Sequence, residues 1–232
     1  MANPRVIVAL DYPNKLGVYN LIKNFSPDEC LVKVGMELFT EEGKELVQEL
    51  VRIGYKVFFD QKYFDIPNTV AATCEVAADL GVWMINVHAL GGSKMMKEVM
   101  FRLNKRKKRP LVAAVTILTS MGQEDIKEIG LHGTVEENVL RLATLAKKCG
   151  LDGVVSSAKE AKLLREKFGA DFNLVTPGIR FSDGNADDQV RIMTPFDTIK
   201  AGADYLVMGR PITKAKNPLA ALERANLEIH NM

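Results

Sequence analysis

The segment Asp60-Gln61-Lys62-Tyr63-Phe64-Asp65 places two carboxylates and an ammonium within six residues. With the two-residue period of a strand, Lys56, Phe58, Asp60 and Lys62 share one face, so Asp60 and Lys62 project together. An ammonium enclosed by side chains is costly unless paired, and flanking carboxylates offset that cost and favour its charged form. A lysine held in that form suits a general acid, or an electrostatic stabiliser of a carbanion, better than a general base. The competing reading of Asp60 and Lys62 is a structural ion pair. For Asp65, two residues before Pro67, it is a helix cap. Lys33, alone in the apolar stretch Leu31-Val32-Lys33-Val34-Gly35, needs a carboxylate partner, for which Asp60 and Asp11 are the candidates.

A second constellation reads as an anion site. In Met208-Gly209-Arg210-Pro211-Ile212-Thr213 the glycine lets backbone amides approach a phosphate, Arg210 supplies a guanidinium fork, and a short helix start aims its dipole at the same point. Plain helix capping is the alternative. His88 is either a satisfied core histidine or part of a site wall, whereas His132 and His230 fall on a loop and a terminal helix. The mixed Asp/Lys set puts ammoniums where metal ligands should stand, so no metal site is expected.

These groups need a scaffold, and the chain supplies an alternating one. Short β-branched runs at 5–10, 31–35, 56–60, 84–88, 111–117, 153–156, 173–176 and 205–208 predict strands. Helical spacing recurs near 14–24, 41–53, 67–80, 92–107, 136–149, 158–168, 195–201 and 217–230. Thr134 with Glu137, and Ser157 with Glu160, read as capping boxes. Eight β/α units in one chain predict the α/β class and a (β/α)8 TIM barrel, here a single domain over 1–232, and no G-x-G-x-x-G follows the first strand. Active sites of such barrels lie at the C-terminal ends of the strands. Those ends carry Asp11, Lys33, Asp60 with Lys62, His88, Thr119 with Ser120, Arg180, and Gly209-Arg210. Two connections, 118–133 and 178–193, are long for βα loops. The second is read as a lid, with a plain surface excursion as the alternative.

Composition narrows the classes. With 232 residues, 47% of them hydrophobic, the chain buries one large core but is short for two α/β domains. Its 31 basic and 29 acidic side chains give a net charge of +2, which argues against nucleic acid or an anionic membrane as partner. The basic run 105–109 reads as a solvated helix C-terminus, with a partner-binding patch as the alternative. Cys30, Cys74 and Cys149, odd in number and set among apolar residues, fit reduced core thiols and a cytoplasmic home. The first apolar run is too short for a signal peptide, and no stretch approaches the ~20 apolar residues of a membrane span.

The run Asp60 to Thr69, with Ile66-Pro67-Asn68-Thr69 completing it, closely resembles the D-x-K-x-x-D-I-P-N-T signature of the orotidine 5′-phosphate decarboxylases. The resemblance continues in order through Ala9-Leu10-Asp11, Val32-Lys33-Val34-Gly35, Val87-His88-Ala89, Leu118-Thr119-Ser120, Pro177-Gly178-Ile179-Arg180, Asp188-Gln189 and Met208 to Ile212. It implies decarboxylation of orotidine 5′-phosphate to UMP, the last step of de novo pyrimidine synthesis, without metal or organic cofactor, by a homodimeric barrel with shared sites. On that resemblance Lys62 donates the proton to the carbon that loses CO2, and Asp60 lies beside the leaving carboxylate and holds Lys62. Lys33 binds the ribose and the charged network, Asp11 contacts the ribose, and Asp65 and Thr69 come from the other subunit. Thr119 contacts the pyrimidine, with Ser120 as the alternative, and Arg180, Gln189, Gly209 and Arg210 grip the phosphate. Gln61 departs from the pattern, since many members carry an apolar residue there, and strand alternation turns it toward the helix layer. Related phosphosugar barrels share D-x-K-x-x-D but use Mg2+ and tend to carry an acidic ligand near position 33, where this chain has Lys33. A non-catalytic nucleotide-binding protein on the same fold is the remaining alternative.

Overall fold

The computed structural model describes residues 4–183 and 193–230. Eight strands form a closed parallel barrel in sequence order: β1 Val6–Ala9, β2 Leu31–Gly35, β3 Val57–Tyr63, β4 Met84–His88, β5 Leu111–Val115, β6 Gly153–Val155, β7 Asn173–Pro177 and β8 Tyr205–Met208, with β8 returning to β1. The (β/α)8 barrel expected from the alternation is thus the fold.

Helices cover the outside: α1 Lys15–Ile22, α2 Met36–Arg52, α3 Pro67–Asp79, α4 Gly92–Leu103, α5 Gln123–Glu128, α6 Val135–Lys148, α7 Ala161–Phe168, α8 Pro195–Lys200, α9 Arg210–Thr213 and α10 Pro218–His230. The main core lies between these helices and the strand residues that face outward, such as Val8, Val32, Phe59 and Ile85. The barrel interior is a smaller cluster of Ile7, Ala9, Leu31, Phe58, Met84, Ala113, Val175 and Val207. Along β2, β3 and β4 the inward parity runs from Leu31, Phe58 and Met84 to Lys33, Asp60 and Asn86, so the interior turns from apolar to polar toward the C-terminal ends.

Several elements differ from the sequence expectation for local reasons. α2 begins five residues before the predicted 41, and Gly43, at φ +68°, interrupts it; glycine alone takes that conformation without strain. α4 stops at Leu103, so the basic run 105–109 lies beyond the helix. Within that run Arg106 pairs with Asp79, and Arg109 forks onto Asp152 at 2.6 and 2.9 Å. The first long connection carries the short helix α5, which has no extended apolar stripe to betray it. Both capping boxes form: Glu137 accepts from the Thr134 amide at 2.7 Å and Glu160 from the Ser157 amide at 2.7 Å, the second opening a 3-10 turn that leads into α7. Cys30, Cys74 and Cys149 are free and buried. Among the described residues no helix is long and apolar enough to cross a membrane.

Candidate active site

β3 does not end at Asp60 but continues to Tyr63 through a bulge. Its pairing with β4 passes from Phe59↔Ile85 to Tyr63↔Val87, four residues on one strand against two on the other. Lys62 lies inside this bulge with φ +51°, a left-handed conformation uncommon for a residue with a Cβ. The bulge interrupts the regular alternation expected over Asp60 and Lys62, yet the two side chains still project together and meet.

The result is a chain of alternating charge. Lys62 Nζ lies 2.7 Å from Asp60 Oδ1, Lys33 Nζ lies 3.3 Å from Asp60 Oδ2, and the same Lys33 Nζ reaches Asp11 Oδ1 at 3.1 Å. Both carboxylates named for Lys33 thus hold it. Burial penalises the charged forms of Lys33 and Asp60, but the charges outweigh it. Asp60 and Asp11 raise the Lys33 pKa above the ordinary lysine value. Lys33 and Lys62, with hydrogen bonds from Lys62 and Asn86, lower that of Asp60. Gly35 leaves room for this contact, since a Cβ there would stand 2.9 Å from Lys33 Nζ.

Asn86 is the residue that sequence reading missed. It is fully buried, donates from Nδ2 to Asp60 Oδ1 at 2.6 Å, and accepts the Lys62 backbone N–H on Oδ1 at 2.7 Å. The signal was a lone amide in Met-Ile-Asn-Val-His on the parity of Met84 and His88, since a buried amide needs partners. His88 stacks on Phe64 at 5.8 Å, and burial, then the Lys62 charge, lowers its pKa. Gln61 is half-buried and donates to the Val34 carbonyl at 3.3 Å, so its amide is partnered on β2.

Beside the charged chain lies a cleft of ≈ 170 Å³ lined by Asp11, Lys33, Gly178, Arg180, Gly209 and Arg210, among others. Arg180 is buried and Arg210 exposed, and Arg210 opens α9 directly after β8. Lys33 belongs to both the cleft and the ion-pair chain and so connects them. A hollow of ≈ 520 Å³ along α6, bordered by Lys167 of α7, touches no strand end.

Asp65 and Thr69 are not drawn into this arrangement. Both are exposed, and Asp65 Oδ1 accepts the Ile66 N–H at 2.6 Å, so the carboxylate sits just outside α3 as a turn-forming group. Among the described residues Asp65 makes no ion pair with Lys62. Thr119 is half-buried just beyond β5, with Ser120 exposed beside it. Gln189 and most of the segment read as a lid lie outside the described residues. Among the described residues no three His, Cys, Asp or Glu side chains are grouped to hold a metal ion.

The family model described as orotidine 5′-phosphate decarboxylase / HUMPS family matches residues 4–225. The chain belongs to this family. It is 55% identical over 230 residues to an orotidine 5′-phosphate decarboxylase of Nitrosomonas europaea, covering 99% of this chain and 98% of that one. A counterpart from Hydrogenovibrio crunogenus is 54% identical over 227 residues, covering 98% and 96%. Among solved structures, orotidine 5′-phosphate decarboxylase from Lactobacillus acidophilus superposes with a TM-score of 0.88 at 39% identity, covering 99% of this chain and all of that one. The family resemblance drawn from the sequence and the barrel drawn from the alternation are both borne out.

Proposed function

We propose that this protein decarboxylates orotidine 5′-phosphate to UMP and CO2, the last step of de novo pyrimidine synthesis, without metal or organic cofactor. Family membership supports the reaction class, and the observation that carries the mechanism is the Lys62–Asp60–Lys33 chain beside a cleft lined by Arg180 and Arg210. The phosphate lies against Arg180, Arg210 and the Gly209 backbone, with Gln189 completing the grip. Asp11 and Lys33 hold the ribose, and Thr119 or Ser120 meets the pyrimidine. The carbon–carboxylate bond breaks, its electron pair stays on the ring carbon, and the Lys62 ammonium delivers a proton to that carbon; the neutral amine then recovers its proton from solvent. An ammonium fixed before reaction stabilises the charge without reorganising, and binding energy from the remote phosphate contributes to the ~8–23 kcal/mol that enzymes remove from barriers.

In this reading the protein works as a homodimer, with Asp65 and Thr69 completing the partner's site. The exposed apolar side chains flanking Asp65, Phe64 at 60% and Ile66 at 66%, support an interface at that segment. The three buried free thiols support a reducing, cytoplasmic setting. Purified protein is expected to convert orotidine 5′-phosphate to UMP at a rate unchanged by chelator. No loss of substrate absorbance, or activity on a sugar phosphate only with added Mg2+, would overturn the reading.

A further inference from the structure

We propose that Asn86 is a positioning residue for the proton-delivery step, holding Lys62 and Asp60 in register through the bulge of β3. The inference rests on the reading of Lys62 as proton donor. The bulge removes Lys62 from the regular β3–β4 ladder, and the Asn86 side chain takes the place of a backbone acceptor for its N–H. The same amide donates to Asp60 Oδ1, the oxygen that holds Lys62 Nζ. One planar group therefore fixes both ends of the Lys62 residue, its backbone directly and its ammonium through Asp60. The two contacts have opposite polarity, so they also fix which way round the amide lies; the reverse orientation would set donor against donor and acceptor against acceptor.

Asn86 is fully buried, and removing it strands the Lys62 N–H and takes one of three partners from the buried Asp60 carboxylate. A left-handed φ at Lys62 persists only if its surroundings enforce it. Without the amide the loop is expected to relax and the ammonium to leave its line to the substrate, while Arg180 and Arg210 in the phosphate cleft are untouched. The role is thus one of geometry at the reacting end, separable from binding at the other.

Substituting Asn86→Asp gives a diagnostic that a merely structural residue would not. When protonated, the new carboxyl can imitate the amide, donating O–H to Asp60 and accepting the Lys62 N–H on its carbonyl oxygen. When ionised it sets a carboxylate against Asp60. The charged and titratable groups facing this position are Asp60 and Lys62 on β3, Lys33 on β2 with Asp11 beyond β1, and His88 two residues along β4; across β5 the paired residue is Ala113.

The test is steady-state turnover of orotidine 5′-phosphate by wild type, Asn86→Ala and Asn86→Asp from pH 5 to 9, with melting curves for each. Displacing a reacting group by an ångström costs about 10²-fold, so Asn86→Ala is expected to lose about that much kcat with KM held within about threefold. For Asn86→Asp, kcat relative to wild type is expected to fall as pH rises, and Asn86→Ala should show no such trend. An inactive wild type overturns the decarboxylase reading and this inference with it. An active wild type matched within about threefold by both variants at every pH, or losing KM rather than kcat, overturns the inference alone. Should Asn86→Ala fail to fold, the pH trend of Asn86→Asp decides.

Discussion

Asp60 is the residue on which the site's charges converge, with one lysine on each carboxylate oxygen and the Asn86 amide on the oxygen that holds Lys62. Its depressed pKa gives a contribution to stability that is present above the ~3.9 of an unfolded aspartate and is lost as pH falls through the lower folded value. The raised pKa of Lys33 gives one present below ~10.4 and lost as pH rises through the higher folded value. The network's contribution should therefore be level across neutral pH. Replacing Asp60→Asn leaves Lys62 without its carboxylate and Lys33 with Asp11 alone. Thermal melts at pH 6 should show a loss of about 3–5 kcal/mol, the cost of removing one partner from a buried ion pair. Equal melting temperatures for variant and wild type at pH 6 would mean that Asp60 does not carry this balance.

The elements divide the barrel into two ends with different work. At the C-terminal ends β2, β3 and β4 present Lys33, Asp60, Lys62 and Asn86. At the opposite end Trp83 meets Tyr205 edge-to-face at 4.9 Å, and Asp152 takes both the Arg109 fork and the Val112 amide at 2.7 Å. Asp152→Ala should lower the melting point, through a loss of about 1–3 kcal/mol, yet leave KM and kcat near wild type. A large fall in kcat in a folded Asp152→Ala protein would break this division. The strands and most helices were legible because alternation and helical spacing are local properties. The bulge was not, because it is defined by what β4 does opposite β3, and a single strand's own period predicts Asp60 and Lys62 on one face without it. Asn86 was hidden for the same reason: its partners lie on a neighbouring strand.

At the scale of the whole molecule, one segment faces two ways. Asp60 and Lys62 turn into their own barrel, while Phe64, Asp65, Ile66 and Thr69 are exposed. The family resemblance had assigned Asp65 and Thr69 to a partner's site, which residue spacing alone could not have distinguished from a helix cap. If sites are shared, inactive Lys62→Ala mixed with inactive Asp65→Ala should regain part of the activity, since a mixed dimer holds one site free of both changes. No recovery despite demonstrated mixed dimers would assign Asp65 to its own subunit.

The central claim is that Lys62 delivers the proton in a reaction that needs no metal. It is tested most directly by following orotidine 5′-phosphate absorbance, in chelator, with wild type and with folded Lys62→Ala. The account predicts steady conversion by wild type and a kcat lower by about 10³-fold or more in the variant. Turnover by Lys62→Ala within about tenfold of wild type would contradict it.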